Sequence, residues 1–353
     1  MVLGIPIVSS DECRRHDPSA EIWVGVRTPG TEVAERVDVI RDATIAAGAP
    51  QVNAEPHGDD VLASVHAPEL LHYLRNAWHD WESSGLLDDP GQDRVVPYFV
   101  PMPEMRCGLP LREPVAVHAR AGAYCYDTMT LVGPGTWEAA RAAVDVALTA
   151  VDLVIDGLPA AYALCRPPGH HATRGSFGGS CYLNNAAVAV AGLRAAGMAQ
   201  VAVIDIDAHH GNGTQSLFYD RSDVFYASLH VDPGAGWFPH VVGFADETGR
   251  GEGIGTTLNR PLPPGAGDDA WLAAIDVICE RVSAYRPDAV VLSLGVDAAA
   301  GDPESPLRVT AEGFAEAGRM IRALGRCVAV QEGGYDLGAI GGLVVSVLAG
   351  LDA

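Results

Sequence analysis

Asp207 and His209 stand two residues apart, just beyond the apolar run 201–205. In an extended segment alternate side chains face the same way, so this carboxylate and imidazole can reach one ion. A second apolar run, 290–296, leads into Asp297, which offers another oxygen donor. Two carboxylates and one imidazole leave a coordination position open, the donor set of a catalytic rather than a structural metal site. A single Asp after a strand more commonly caps a helix or ties a loop. Two acidic strand ends beside a pair of histidines weaken that reading.

A third run, 162–165, passes into Arg166, two prolines, Gly169 and the tandem His170 and His171. The prolines stiffen the turn and remove backbone donors. Imidazoles titrate near neutrality, so an adjacent pair beyond a strand end suits acid–base work. A fourth run, 327–331, ends in Glu332, Gly333, Gly334 and Tyr335. The glycines let the backbone bend, and a phenol there can donate to a developing oxyanion.

These groups all follow short β-branched runs, and open α/β sheets place ligands at the carboxyl ends of their strands. Strands are predicted at 2–8, 161–165, 201–205, 224–229, 289–294 and 327–331. Helices are predicted at 31–48, 68–83, 136–156, 184–196, 268–285 and 310–324. Nearly continuous apolar strands are those covered on both faces. The predicted fold is therefore α/β: a single open three-layer domain over 1–353 with a mainly parallel sheet. Residues 85–114, rich in Pro, Gly and Asp, read as a long irregular insertion. Loops of that length carry function or mediate contacts. The apolar tail 337–351 is shorter than the roughly 20 residues of a membrane span and reads as a packed terminal helix.

The 353 residues carry 45 acids against 23 bases, a net charge of −22, and every base is arginine. Without lysine there is no Schiff-base nucleophile, no pyridoxal-anchoring amine and no Walker phosphate loop. The acidic excess argues against nucleic-acid binding. With 48% apolar and 19% charged residues the chain is globular. Seven cysteines, none in a CxxC pair, read as reduced thiols of a cytoplasmic protein. The first eleven residues lack the basic region of a signal peptide.

The blocks Arg166-Pro-Pro-Gly-His-His171, Asp205-Ile-Asp-Ala-His-His-Gly-Asn-Gly-Thr-Gln215, Ser228-Leu-His230, Ser293-Leu-Gly-Val-Asp297 and Glu332-Gly-Gly-Tyr335 resemble the histone deacetylase superfamily, in that family's order. The resemblance runs over nearly the whole chain. Gly133-Pro-Gly-Thr-Trp137, His230-Val-Asp-Pro233, Phe238-Pro-His240, Gly255-Thr-Thr257 and the 85–114 insertion are most similar to bacterial acetylpolyamine amidohydrolases.

The resemblance implies a zinc amidohydrolase that removes an acyl group from an amine. Asp207, His209 and Asp297 would hold Zn²⁺, although a mixed N/O set also suits Fe²⁺ or Co²⁺. The metal and Tyr335 would polarise the amide carbonyl for attack by water. His170 and His171 would form the acid–base pair, with His171 protonating the departing amine. Asp205 would partner His170, and Asn212 would partner His171. The carbonyls of Asp205, Asp207, His209 and Leu229, with the Ser228 hydroxyl, would cage a structural K⁺.

Gly179, Ser180, Phe238, Glu21 and Gly333 would meet the substrate. Ser180 stands where the family carries a second tunnel aromatic, so one wall is expected to be smaller and more polar unless Phe177 or Trp237 fills it. Glu21 matches one of the acids that recognise distal ammonium groups in the polyamine enzymes, while His118 and Met129 stand at two others. The implied partners are an acylated small molecule or peptide and a second copy of the chain, joined through 85–114; no nucleic acid or membrane is implied. An arginase-like enzyme with two Mn²⁺ ions would want carboxylates at positions 211 and 299, which hold Gly211 and Ala299. A catalytically silent acyl-amine-binding protein would have lost a ligand, the histidine pair or the tyrosine, and all are present.

Overall fold

A computed structural model describes residues 2–353. Eight strands form one sheet: β1 (Ile7–Ser9), β4 (Gln51–Asn53), β5 (Ala160–Ala163), β6 (Val201–Asp205), β7 (Val224–Val231), β8 (Thr257–Leu262), β9 (Ala289–Leu294) and β10 (Cys327–Gln331). Their spatial order is β4-β1-β5-β10-β9-β6-β7-β8, and every neighbouring pair is parallel. A separate antiparallel hairpin joins β2 (Glu21–Trp23) and β3 (Val26–Thr28) through Val24 and Gly25, both at positive φ. Paired positive-φ residues match the twist of a two-residue hairpin, although a β-branched residue rarely adopts that conformation.

Strands β5, β6, β9 and β10 are buried along their whole length, because helices cover both faces of the sheet. One layer contains α1 (Glu35–Ala46), α8 (Asp268–Tyr285), α9 (Ala311–Arg322) and α10 (Ile340–Leu351). The other is built around α5 (Thr136–Ile155) and α6 (Asn185–Ala195), with α2 (Asp60–Val65) and α7 (Asn212–Phe218) against α6. Helices α3 (Pro68–Glu82) and α4 (Val117–Tyr124) pack on each other beside the insertion. The α9–α10 contact is close because of Gly350, where an added Cβ would lie 2.1 Å from the Ala315 carbonyl oxygen. Among the described residues no helix is long and apolar enough to cross a membrane.

The chain order explains the site. From β6 the chain steps outward through β7 to β8, then returns to insert β9 and β10 between β6 and β5. The carboxyl ends of β5, β10, β9, β6 and β7 consequently lie side by side, and the chemistry-bearing segments leave the sheet along one edge.

Several predicted elements differ from the structure. Strand β1 starts at Ile7 rather than at residue 2, because pairing to β4 and β5 begins there. Edge strands β4 and β8 escaped prediction: β4 is a polar triplet, and β8 contains Pro261, which a sheet tolerates at its edge. The 85–114 segment is irregular as expected, holding one short 3₁₀ turn, Pro103–Arg106, and a bridge from Val95 to Val132.

Candidate active site

Strands β6 and β9 pair with Asp205 opposite Ser293, so the segments that leave them remain neighbours. His209 Nδ1 lies 2.9 Å from Asp297 Oδ2 and 3.2 Å from Asp207 Oδ1. One donor atom from each of the three residues falls within 4.8 Å of the others. Backbone donors orient both carboxylates: Ala208 N–H to Asp297 Oδ1 at 2.7 Å, His209 N–H to Asp207 Oδ1 at 2.9 Å and Gly333 N–H to Asp207 Oδ2 at 2.8 Å.

Burial, with Asp207 beside it, pushes the Asp297 carboxyl up to about 8. Burial alone would depress His209, but its hydrogen bonds to Asp207 and Asp297 raise it well above the ordinary imidazole range. Two buried carboxylates face one imidazole, with no arginine paired to either among the described residues; the protons that Asp297 and His209 retain stand where a divalent cation would supply the positive charge. The donor set therefore fits a metal ion.

The two histidines behind this cluster have opposite surroundings. His170 Nδ1 lies 3.1 Å from Asp205 Oδ2, which also accepts from the Tyr226 hydroxyl at 3.3 Å. Burial would depress His170, but Asp207 and Asp205 push it up to about 10. His171 Nδ1 lies 2.7 Å from Asn212 Oδ1. Burial, together with His170 and His209, holds His171 well below its ordinary value. Asn212 Nδ2 donates to the Tyr126 hydroxyl at 3.5 Å, which leaves Oδ1 to accept from His171. The neutral His171 ring then carries its proton on Nδ1 and keeps a bare Nε2.

His171, His209 and Tyr335 line a cavity of about 550 Å³. Phe238 stands perpendicular to His171, ring centroids 4.8 Å apart. Gly179, at φ +56, admits no side chain, since a Cβ would lie 2.4 Å from the His171 ring. Ser180 and Trp237 face the cavity, whereas Phe177 is buried and stacks on Tyr73 and Tyr182. Phe177 therefore does not replace the absent aromatic. Glu21 and Met129 also line the cavity, while His118 packs on Tyr98. Gly333, expected against the substrate, is instead buried behind the carboxylates with its N–H committed to Asp207. A Cβ there would lie 2.6 Å from Asp207 Oδ2 and 2.7 Å from Asp297 Oδ2.

A model of the histone deacetylase domain matches residues 30–351. The chain belongs to the histone deacetylase family. It is 39% identical over 347 residues to the acetylpolyamine amidohydrolase of Mycoplana ramosa, covering 98% of this chain and 99% of that protein. Acetylpolyamine amidohydrolase 1 of Pseudomonas aeruginosa is also 39% identical, covering 98% of each. The crystal structure of an acetylpolyamine aminohydrolase from Burkholderia pseudomallei superposes with a TM-score of 0.91 at 37% identity, covering 99% of both chains.

In this family member the site rests on buried groups that the spacing of motifs did not reveal. Glu332 Oε2 accepts from the Gly169 and His170 N–H groups at 2.7 and 3.1 Å, and Oε1 from the Ser293 hydroxyl at 3.1 Å. One carboxylate thus ties together the ends of β5, β9 and β10. Asp302 Oδ2 accepts from the Tyr335 and Asp336 N–H groups at 2.8 and 3.3 Å. Arg36, from α1, donates to the carbonyls of Gly334 at 2.7 Å and Glu332 at 2.5 Å, and its guanidinium lies 4.8 Å from the Tyr335 ring centre. Its other end meets Glu32 at 2.9 Å, and Arg166 reaches the same carboxylate at 2.8 Å. Without Arg36, Glu32 would keep only Arg166 as a close arginine partner, and the buried Gly334 and Glu332 carbonyls would lose this donor. Arg36→Met is expected to destabilise the fold by about 3 kcal/mol, read as a lower urea midpoint; an unchanged midpoint would show that Arg36 carries none of this load.

Near the sheet edge, Ser228 Oγ lies 2.7 Å from His230 Nδ1. The carbonyls of Asp207 and His209 accept no hydrogen bond among the described residues. Free carbonyl oxygens of this kind suit a hard monovalent cation. At position 211 an added Cβ would lie 2.3 Å from Asp205 Oδ2, so no carboxylate fits there to bridge a second ion.

Proposed function

We propose that this protein is a zinc-dependent deacylase that hydrolyses the amide of an N-acetylated amine, such as an acetylpolyamine or an acetyl-lysine side chain, to acetate and the free amine. The support is one juxtaposition: His209, clustered with the Asp207 and Asp297 donors, lines a single cavity with His171, whose Nε2 is bare, and with Tyr335. Relatives spanning nearly the whole chain carry acetylpolyamine amidohydrolase names.

Asp207, His209 and Asp297 would hold the cation, and Fe²⁺ or Co²⁺ would suit the same donors. Such an ion polarises a carbonyl and acidifies water. His171 Nε2 takes a proton from the attacking water as the new C–O bond forms. It then returns that proton to the amine nitrogen as the C–N bond breaks. Asn212 holds the ring for both transfers, and His170, charged against Asp205, adds positive potential behind it. Tyr335 donates a hydrogen bond to the oxygen that gains negative charge. Asp205, Asp207, His209, Ser228 and Leu229 would hold potassium.

The whole chain, 1–353, would act as one deacylase domain. The 85–114 insertion would join two copies, and the free state of all seven cysteines accords with a cytoplasmic location.

Hydrolysis of N-acetylated diamines and an acetyl-lysine amide by the zinc-loaded protein tests this reading. Turnover is expected to stop on chelation and to fall about 10²- to 10⁴-fold in His171→Ala. Absence of hydrolysis of every acetylated amine by fully loaded protein would refute it.

A further inference from the structure

We propose that Tyr126 is a positioning residue, whose hydroxyl orients the Asn212 amide so that His171 keeps its ring proton on Nδ1 and leaves Nε2 bare. This deepens the deacylase reading and rests on it, since that nitrogen moves the proton. Three groups meet in series. The Tyr126 hydroxyl donates to the His171 carbonyl at 2.9 Å, Asn212 Nδ2 lies 3.5 Å from the same hydroxyl, and Asn212 Oδ1 lies 2.7 Å from His171 Nδ1.

The one member of the series that has no choice sets the direction of every bond. A peptide carbonyl only accepts, so the single phenolic proton is committed to His171. Toward Asn212 the hydroxyl then has only a lone pair to offer, and the amide must turn its NH₂ group to it. Oδ1 consequently faces the imidazole and accepts from Nδ1–H. The partner of one ring nitrogen decides which of the two carries the proton. A reversed amide would present NH₂ to Nδ1, move the ring proton to Nε2 and remove the base.

Asn212 has no second anchor. Tyr126 is the only partner of its Nδ2 among the described residues. Asn212 also borders a second cavity, of about 320 Å³, with Ser216, Glu247 and Arg250, and no residue lines both this cavity and the one that holds His171. Water in that second cavity satisfies either end of an amide equally well, so the discrimination must come from Tyr126. The tyrosine is itself fixed. Gly178 leaves the space in which its ring lies, because a Cβ there would overlap Cε2, and its N–H donates to the Phe177 carbonyl at 3.1 Å. Burial, opposed by the Asn212 amide and reinforced by Asp127, holds the phenol well above its ordinary value, so it keeps its proton. The start of α7 is tied to the histidine segment in turn, with the Thr214 N–H on the His170 carbonyl at 3.0 Å.

Tyr126→Phe, made alone and in an Asn212→Asp background, tests the assignment. Both oxygens of an aspartate accept, so nothing is left to orient there, whereas the lost bond to the His171 carbonyl is common to both backgrounds. In the zinc-loaded protein, kcat on an acetyl-lysine amide is expected to fall about fivefold in Tyr126→Phe, one neutral hydrogen bond's worth of preference, with KM and metal content unchanged. Added to Asn212→Asp, the same change is expected to cost less than about twofold. Nitrogen-15 NMR, with the His171 signals identified by their loss in His171→Ala, is expected to show the Nδ1–H tautomer in wild type and a mixture of tautomers in Tyr126→Phe. Equal kcat losses in the two backgrounds, or a tautomer that Tyr126→Phe leaves unchanged, would overturn the proposal. The NMR measurement needs no turnover. A wild type that hydrolyses no acetylated amine sinks the deacylase reading, and the tautomer result still decides whether Tyr126 orients the amide.

Discussion

Asp297→Asn is expected to cost more than about a hundredfold in cation-dependent turnover and in metal affinity, beyond what losing a ligand's outer partner costs. The substitution keeps the shape of the side chain, and its amide oxygen can still accept from the Ala208 N–H now held at 2.7 Å. It removes the negative charge, and it turns an NH₂ group toward His209 Nδ1, now 2.9 Å from Asp297 Oδ2. Two donors then face each other where an acceptor faced a donor, and the cluster loses one of its two anionic ligands. Asp207→Asn should behave alike, since Asp207 Oδ2 accepts from the Gly333 N–H at 2.8 Å. Metal per chain after gel filtration, together with the rate on an acetylated diamine, measures both effects. Wild-type rates at full metal content in both variants would remove these residues from the site.

The strands that carry this cluster were the most legible part of the sequence. The limits of β6, β9 and β10 coincide with their apolar runs, because strands deep inside a two-sided sheet have no polar face to blur the pattern. At the sheet edges the rule fails: β4 is exposed at Gln51 and Asn53, and β8 runs through Pro261. Periodicity also missed the hairpin that brings Glu21 and Trp23 to the cavity, since its turn sets Val24 at positive φ.

The same distinction divides the site. Asp207, His209, Asp297, His170, His171 and Tyr335 all follow strand ends within a few residues, so sequence alone could place them near one another. The resemblance, rather than spacing, suggested the His170–Asp205 and His171–Asn212 pairs that the structure brings into contact. Arg36 and Tyr126 come from α1 and from the segment after α4. Their relation to Tyr335 and Asn212 exists only in three dimensions, so no local pattern marks them. Glu332 lay within a quoted motif, yet its part in tying three strand ends together depends on N–H groups more than 160 residues earlier.

Tyr335→Phe isolates the phenol from the architecture that holds it. The Tyr335 N–H stays on Asp302 at 2.8 Å, and the ring keeps its place 4.8 Å from the Arg36 guanidinium, so the fold and the metal donors should survive the change. Burial, reinforced by Asp207 and Asp297 and opposed by Arg36, holds the phenol well above its ordinary value. It therefore remains protonated at neutral pH and serves as a hydrogen-bond donor, never as a base. A donor that engages the carbonyl oxygen most strongly once negative charge develops acts on kcat rather than on ground-state binding. The expected loss is about 10²- to 10³-fold in kcat, the cost of removing one oxyanion donor, with KM and metal content near wild type. Were KM alone to rise, the phenol would be holding the resting substrate; were kcat unchanged, it would stand clear of the reacting carbonyl, and Arg36 and Asp302 would be positioning it for some other purpose.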